Sequence, residues 1–197
     1  MLTALWRSGK NIVIQEKETF MPITLHQLLA SRDARHAMQM QLIGQHPGFV
    51  LVCLTVVMPG NVKRNRQSLV VARAAVESMR EAFRPADGML LERDLETGYE
   101  AYMLVEGDML TVKRTACSIE DTHPLGRLFD IDVIDGNGVP VPRSEVGGKP
   151  RRCLVCSNEA RYCMRNHSHT QDDIWRCINT LVDTYANARG ATETPMP

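Results

Sequence analysis

The chain has 197 residues, enough for one domain with a sizeable core. Its 23 Lys and Arg balance its 23 Asp and Glu, which argues against non-specific binding of long nucleic acids because such binding needs a basic excess. The longest apolar run, residues 49–58, is far below the roughly 20 residues that cross a bilayer. Residues 1–11 also lack the apolar centre of a signal peptide, so we expect a cytoplasmic protein whose six cysteines are reduced.

The first half of the chain predicts two helices around one buried strand. Thr24 and Gln27 form a capping-box pattern that begins a helix ending near Ile43. The Val-rich run 49–57 has the pattern of a buried strand. Residues 67–83 carry apolar side chains at helical spacing and predict the second helix.

The second half predicts strands, an irregular segment and a last helix. Residues 99–105 and 109–119 look like two strands of a hairpin, followed by a strand that contains two aspartates. Asp135-Gly136-Asn137-Gly138 predicts a tight turn, residues 143–169 are irregular and basic, and Thr170 caps a final helix.

Strands that alternate with helices in this way predict an α+β protein with a mixed sheet flanked by helices. We expect a single catalytic domain with a Cys- and Arg-rich irregular segment before its C-terminal helix. The predicted boundaries are an N-terminal extension over residues 1–21, the domain over 22–189 and a disordered tail over 190–197.

Two carboxylates stand one residue apart in the apolar segment Phe129-Asp130-Ile131-Asp132-Val133. In a strand they would share one face, and two adjacent negative charges are costly unless a cation lies between them. Adjacent carboxylates that hold Mg²⁺ are typical of two-metal phosphoryl and nucleotidyl transfer. Glu120 could supply a third acid for this chemistry, while an Asp-x-Asp at a surface turn is the competing structural interpretation.

Three thiols and an imidazole follow within 17 residues: Cys153, Cys156, Cys163 and His169, with His167 nearby. This ligand set suits structural zinc, although its spacing is not that of a standard finger. The alternative is a group of reduced cysteines packed under a loop. Cys53, Cys117 and Cys177 fall on apolar faces and are predicted to lie in the core.

Basic side chains cluster near the predicted loops, where Arg forks could cradle several phosphates. The alternative is an ordinary solvated face, and we assign that interpretation to Arg32 and Arg35 on the first helix. The candidate phosphate-binding residues are Lys63, Arg64, Arg127, Arg143, Arg151 and Arg152.

Several motifs together resemble one enzyme family. Four parts of the chain carry the resemblance: residues 28–35, the run His123–Val133, Arg151-Arg152-Cys153-x2-Cys156 and Cys163-x-Arg165-x3-His169. Together they are similar to the apo-citrate lyase phosphoribosyl-dephospho-CoA transferases, also called citrate lyase holo-acyl-carrier-protein synthases. The Val57–Lys63 turn also fits, except that Asn61 stands where a second proline is expected. The resemblance covers roughly residues 22–187.

The resemblance implies a nucleotidyltransferase-like fold and a defined reaction. The family transfers 2′-(5″-phosphoribosyl)-3′-dephospho-CoA from its 5″-triphosphate to a serine of the citrate lyase acyl carrier (gamma) subunit, with release of diphosphate. We therefore expect Asp130 and Asp132 to hold Mg²⁺ and Glu120 or the metal to assist removal of the serine proton. Arg127, Lys63 and Arg152 would hold phosphate oxygens, and Arg165 and His169 could bind phosphate or complete a zinc site.

Three alternatives remain at this point. The chain could be a related synthase for another carrier, such as that of malonate decarboxylase. It could be a zinc-bearing nucleic-acid or protein-binding module without catalysis, although zero net charge and the lack of an aromatic-basic face argue against nucleic acid. It could also be a non-catalytic factor that binds the carrier subunit.

Overall fold

A computed structural model describes residues 20–83 and 85–192, of which residues 85–88 and 190–192 are described by their backbone alone. Most of the predicted N-terminal extension and residues 193–197 of the predicted tail lie outside the described residues. The elements in chain order are α1 (Leu25–Gln45), β1 (Val50–Val56), α2 (Arg66–Ala82), β2 (Pro85–Leu95), β3 (Gly98–Val105), α3 (Met109–Thr122), β4 (Phe129–Ile134), α4 (Ala160–Arg165) and α5 (Gln171–Thr192).

The described strands form one four-stranded sheet in the order β2-β3-β1-β4. The α+β prediction is confirmed, but every pair of neighbouring strands in this sheet is antiparallel, whereas a mixed sheet was predicted. The connections explain the difference: β2 and β3 form a hairpin, and α2 and α3 each connect two strands of the same direction that are separated in the sheet by a third, antiparallel strand.

The sheet buries a different core on each face because side chains alternate along a strand. On one face, Leu54 of β1 and Ile131 of β4 belong to a large apolar cluster with α2, α3 and α5. On the other face, Leu51 and Tyr102 pack with Leu42 of α1 in a smaller cluster. The smaller cluster leaves part of the second face free for polar side chains.

Residues 109–119 were predicted as a strand but form helix α3. Asp108 caps this helix by accepting a hydrogen bond from the Thr111 N–H at 2.8 Å. The buried side chains Val112, Ala116 and Ile119 then recur at helical spacing and face the core. The β-branched residues in this stretch suggested a strand, but the cap and the helical period determine the structure.

The predicted ends of the outer helices agree well with the structure. Thr24 caps α1 in a full capping box with Gln27, and Thr170 accepts a hydrogen bond from the Asp173 N–H at 3.1 Å at the start of α5. Helix α5 continues to Thr192, so residues 190–192 are helical where the predicted tail begins. Among the described residues, no helix has the length and apolar character that a membrane span requires.

Candidate active site and metal cluster

Asp130 and Asp132 lie on the same face of β4, as predicted. The residues between and beside them, Phe129, Ile131 and Val133, are buried on the opposite face against the main core. The alternation of a strand therefore directs both carboxylates to the face that the small cluster leaves open.

Each carboxylate already has a cation beside it. The Arg151 guanidinium donates a hydrogen bond to Asp130 Oδ1 at 3.0 Å, and the Thr55 hydroxyl donates to Oδ2 at 3.3 Å. The Nζ atom of buried Lys113 lies 4.0 Å from Asp132 Oδ1. Burial raises the pKa of Asp132, the negative charge of Asp130 raises it further, and Lys113 partly offsets both effects.

Glu120 lies beside the outer edge of β4. Its Oε1 accepts a hydrogen bond from the backbone N–H of Ile131 at 2.8 Å, and the same oxygen is 3.8 Å from the Arg151 guanidinium. Burial raises the pKa of Glu120, while Arg151 and Arg143 act in the opposite direction. The contacts of this carboxylate are with the strand backbone and two arginines, which suits a residue that positions others.

A cavity of about 270 Å³ opens over the two aspartates. Helix α1 supplies its other wall through Arg35, His36 and Gln39. Sequence reasoning assigned Arg35 to the solvated face of this helix. Arg35, Gln39 and buried Leu42 are spaced i, i+4 and i+7, so the helical period could have placed them on the inward face. A wider depression of about 440 Å³, between α2 and the end of α3, contains neither aspartate.

A buried carboxylate that the sequence reasoning missed lies next to this cavity. Glu100 on β3 is only 3% exposed and accepts a hydrogen bond from the Tyr102 hydroxyl at 2.7 Å. Arg35 and Arg93 lie within 3.8 and 3.6 Å of its oxygens. An acidic residue in the interior of the predicted strand 99–105 was the available signal, since strand interiors disfavour Glu.

Four of the predicted phosphate-binding residues lie away from the cavity wall. Arg64 forms a bidentate ion pair with Asp94, with both hydrogen bonds at 2.9 Å. The Lys63 ammonium donates to the Met58 carbonyl, and burial and the neighbouring Arg32 lower its pKa. Exposed Arg152 and Arg165 belong to the segment that carries the thiol cluster.

Two more predicted phosphate ligands, Arg127 and Arg151, lie next to each other, whereas the Arg143 guanidinium is bound to Asp121 of α3 at 2.6 Å. Burial and the charge of Arg151 lower the pKa of half-buried Arg127. The Arg151 guanidinium donates to the carbonyl oxygens of Arg127 at 3.2 Å and of Phe129, in addition to Asp130. Arg151 therefore connects the turn before β4, the edge of β4 and Asp130. Among the described residues that were predicted to bind phosphate, only Arg151 contacts the aspartate pair directly.

The predicted thiol and imidazole cluster is assembled in the structure. One ligand atom from each of Cys153, Cys156, Cys163 and His169 lies within 4.8 Å of the others, so the cluster could bind a metal ion. The His169 Nε2 atom is buried and has no hydrogen-bond partner among the described residues. Unpartnered buried polar atoms are rare, and a metal ion would satisfy this one.

The thiols in the cluster differ in acidity. Burial would raise the pKa of Cys153, but hydrogen bonds from the backbone N–H groups of Val155 and Cys156 and from neighbouring thiols hold it at about 7. Burial and the adjacent thiols raise the pKa of Cys163 to about 11. Outside the cluster, Cys53 and Cys117 are buried as predicted, whereas Cys177 is partly exposed.

Comparison with known proteins supports the resemblance described above. Residues 23–185 match the family model described as apo-citrate lyase phosphoribosyl-dephospho-CoA transferase. The chain is 36% identical over 166 residues to a Haemophilus influenzae protein named CitXG. The aligned residues cover 83% of this chain and 36% of that longer protein.

Two further relatives match along most of their own length. A probable apo-citrate lyase phosphoribosyl-dephospho-CoA transferase of Vibrio cholerae is 32% identical over 83% of this chain and 94% of the relative. The corresponding Streptococcus pyogenes serotype M18 protein is 29% identical over 84% of this chain and 88% of the relative. The chain thus spans about a third of the first relative and nearly all of the other two.

Proposed function

Because the chain belongs to the apo-citrate lyase phosphoribosyl-dephospho-CoA transferase family, we propose that it transfers the 2′-(5″-phosphoribosyl)-3′-dephospho-CoA group to apo-citrate lyase. The donor is the 5″-triphosphate of that group and the acceptor is a serine of the acyl carrier subunit. The observation that supports a location for this reaction is the pair of carboxylates, Asp130 and Asp132, which face Arg35 across one cavity.

The bond changes follow from the proposed substrates. The serine oxygen attacks the phosphorus nearest the ribose, the bond from that phosphorus to the diphosphate breaks, and a phosphodiester forms. We assign the serine proton to Asp132, since its nearest cation lies 4.0 Å away, whereas Asp130 is hydrogen-bonded to Arg151 at 3.0 Å. The raised pKa of Asp132 makes it a better proton acceptor than an ordinary aspartate.

Arg35 is our candidate for the phosphate chain of the donor. It lines the cavity opposite the aspartates, and its guanidinium lies 3.8 Å from buried Glu100, which fixes its orientation. An Arg fork held in this way binds phosphate oxygens with less loss of freedom than an unrestrained side chain. Five of the other basic residues predicted to bind phosphate do not line the cavity, so we expect them to contribute less to donor binding than Arg35. They are Lys63, Arg64, Arg127, Arg152 and Arg165.

Asp130, with the Thr55 hydroxyl beside it, is the residue that would hold Mg²⁺, while Asp132, which the sequence also indicated as a ligand, faces the same cavity and acts as the proton acceptor. Their carboxylate oxygens and the Thr55 hydroxyl face one cavity, and oxygen donors are the ligands that Mg²⁺ prefers. A bound Mg²⁺ would neutralise charge on the reacting phosphate and on the departing diphosphate. Glu120, expected from the sequence to act in catalysis, is proposed instead to position Arg151 against Asp130.

We assign zinc to the Cys153, Cys156, Cys163 and His169 cluster, because three thiolates and an imidazole are a typical closed zinc ligand set. The cytoplasmic location expected from the sequence is retained as part of the proposal. Reduced thiols, which zinc binding requires, agree with that location.

The decisive experiment is a mass measurement on the carrier. The protein is incubated with Mg²⁺, the triphosphate donor and apo carrier subunit, and the carrier should gain the mass of one transferred group. Unmodified carrier would overturn the proposal, and modification of a malonate decarboxylase carrier alone would favour the related synthase. Parallel samples with EDTA test the need for a divalent ion.

Variants then assign the site. Asp130→Asn and Asp132→Asn should each lower the transfer rate about 100-fold or more, because a loss of about 3 kcal/mol of transition-state stabilisation has this effect. Asp135→Asn is the matched control: Asp135 accepts backbone hydrogen bonds from Asn137 and Val139 in the turn after β4, a role that Asn can also fill. Near-full activity of either site variant would remove the pair from the mechanism.

A further inference from the structure

The segment that carries the thiol cluster lacks an apolar core of its own. Residues 147–169 are all described, and the only side chains within them that are buried are Cys153 and Cys163. Apart from the six-residue helix α4, the segment is irregular. An irregular segment of this size needs a disulfide, a metal or an apolar core to hold one conformation, and its buried residues here are two candidate metal ligands.

The same segment contains Arg151, the arginine that reaches the proposed active site. The Arg151 carbonyl accepts a hydrogen bond from the Ala160 N–H at 2.8 Å, and the Cys153 N–H donates to the Asn158 carbonyl at 2.7 Å. These bonds close a short hairpin in which Arg151 precedes the first ligand by two residues. The hairpin backbone therefore places both the thiol of Cys153 and the guanidinium of Arg151.

The chain beyond α4 completes the cluster. The Ser168 N–H donates to the Cys163 carbonyl at 3.1 Å, and His167 adopts a left-handed φ of 47°. This turn brings His169 back towards the thiols, where its Nε2 atom is buried and has no hydrogen-bond partner in the residues that the structure describes. A metal ion would join the hairpin, α4 and this turn through a single set of bonds.

We propose that a zinc ion bound by Cys153, Cys156, Cys163 and His169 forms the core of the 147–169 segment and thereby positions Arg151 on Asp130. The ion would not contact the reacting groups and would affect the transfer reaction only by holding Arg151 in position. This inference depends on the proposed function only for its activity readout, since the zinc content and the placement of the hairpin can be measured without substrate.

Zinc content is the first test. The protein purified with zinc present should contain about one equivalent by elemental analysis, and Cys163→Ser should lose it, while Cys177→Ser should retain it. Cys177 is a matched control because it lies on α5 outside the cluster. Replacement of zinc by Co²⁺ should give the visible absorption of a thiolate-bound tetrahedral ion. Protein without a bound ion, or a Cys163→Ser variant that keeps its zinc, would overturn the proposal.

The link to Arg151 is tested on folded protein by removal and return of zinc. Loss of the ion should lower kcat about 10- to 100-fold, with a smaller change in KM, and added zinc should restore it. In an Arg151→Ala background the same removal should have little further effect, because both changes act on the same contact. If zinc removal and Arg151→Ala lowered kcat by factors that multiply, the ion would not act through Arg151 and its role would be purely structural.

Hydrogen exchange provides a readout that does not depend on activity. Removal of zinc should speed exchange of the Ala160 and Cys153 amides in the hairpin, and exchange of the Ile131 amide on β4 should follow if Arg151 leaves its place beside Glu120. Unchanged exchange at Ile131 together with fast exchange in the hairpin would show that the ion does not reach β4. If transfer fails in every assay while these results hold, the proposed function is wrong and the zinc inference stands.

Discussion

The ammonium of Lys113 lies 4.0 Å from the carboxylate of Asp132, and both groups approach each other from neighbouring elements, α3 and β4. Lys113 is 3% exposed, so its charge is not screened by bulk water as a surface lysine would be. It opposes the effects of burial and of Asp130, which raise the pKa of Asp132. The protein thus tunes the acidity of this aspartate with a residue from outside the cavity.

This relationship predicts the pH dependence of transfer. Asp132 must be ionised to accept a proton, so activity should rise with pH through its pKa, which burial and the charge of Asp130 raise from the ordinary aspartate value. Lys113→Met removes the charge that lowers this pKa, and the acidic limb of the kcat profile should move to higher pH. Arg114→Met, on the exposed side of the same helix, is the control and should leave the limb in place. A shift to lower pH in Lys113→Met would contradict the assignment.

The same carboxylate should lower the stability of the folded protein at neutral pH. Its pKa is higher in the folded state than in the unfolded chain, so its contribution to the free energy of unfolding falls as pH rises through the folded pKa. Asp132→Asn removes this cost and should raise Tm at pH 7, with a smaller gain at pH values below the unfolded pKa. Thermal unfolding at several pH values measures the effect, and a Tm that falls at pH 7 would mean that the Lys113 contact dominates.

Donor binding should depend on α1 more than on the loop after β1. Arg35→Ala should raise KM for the triphosphate donor about 10-fold or more, since a charge-assisted hydrogen bond contributes about 1.5–3 kcal/mol. Arg64→Ala should leave KM nearly unchanged because Arg64 is bound to Asp94 and does not line the cavity. Initial rates at varied donor concentration distinguish the two, and the reverse order of effects would restore Arg64 as the main phosphate ligand.

The turn before β4 should not accept a side chain at Gly126. A Cβ atom there would lie 2.4 Å from the Glu120 carbonyl oxygen and 2.9 Å from that of Ile119. Both are backbone atoms of α3 and cannot rotate away, so Gly126→Ala should lower the free energy of unfolding by about 1–3 kcal/mol. Gly136→Ala has no neighbour within 4 Å and serves as the control in chemical denaturation. Equal stability of both variants would mean that α3 and the turn can separate without cost.

The sequence allowed prediction of the features that depend on neighbouring residues along the chain. The capping box of Thr24 and Gln27 located the start of α1, and the alternation around Asp130 and Asp132 placed both carboxylates on one face of a strand. The ligand set from Cys153 to His169 was also visible, because its members lie close together in the chain.

Features that depend on contacts between distant residues could not be predicted in this way. Arg35 and Asp132 line the same cavity although almost a hundred positions separate them, and no local pattern records that proximity. Strand β2 was not predicted from the sequence; it lies at an edge of the sheet, where a strand tolerates charge on its exposed side. The antiparallel sheet likewise reflects pairing across the fold and not composition.

The outer edge of β4 is occupied by two side chains and by an isolated β-bridge with the chain that follows the strand. Glu120 accepts from the Ile131 N–H, Arg151 donates to the Phe129 carbonyl, and the Val141 N–H donates to the Val133 carbonyl at 2.8 Å. An exposed strand edge invites pairing with another chain, and these three contacts close that route beside the aspartates. Within the part of the chain that the structure describes, self-association by strand addition would then use β2 at the far end of the sheet, and the carboxylate pair would stay accessible to a carrier protein in such an assembly.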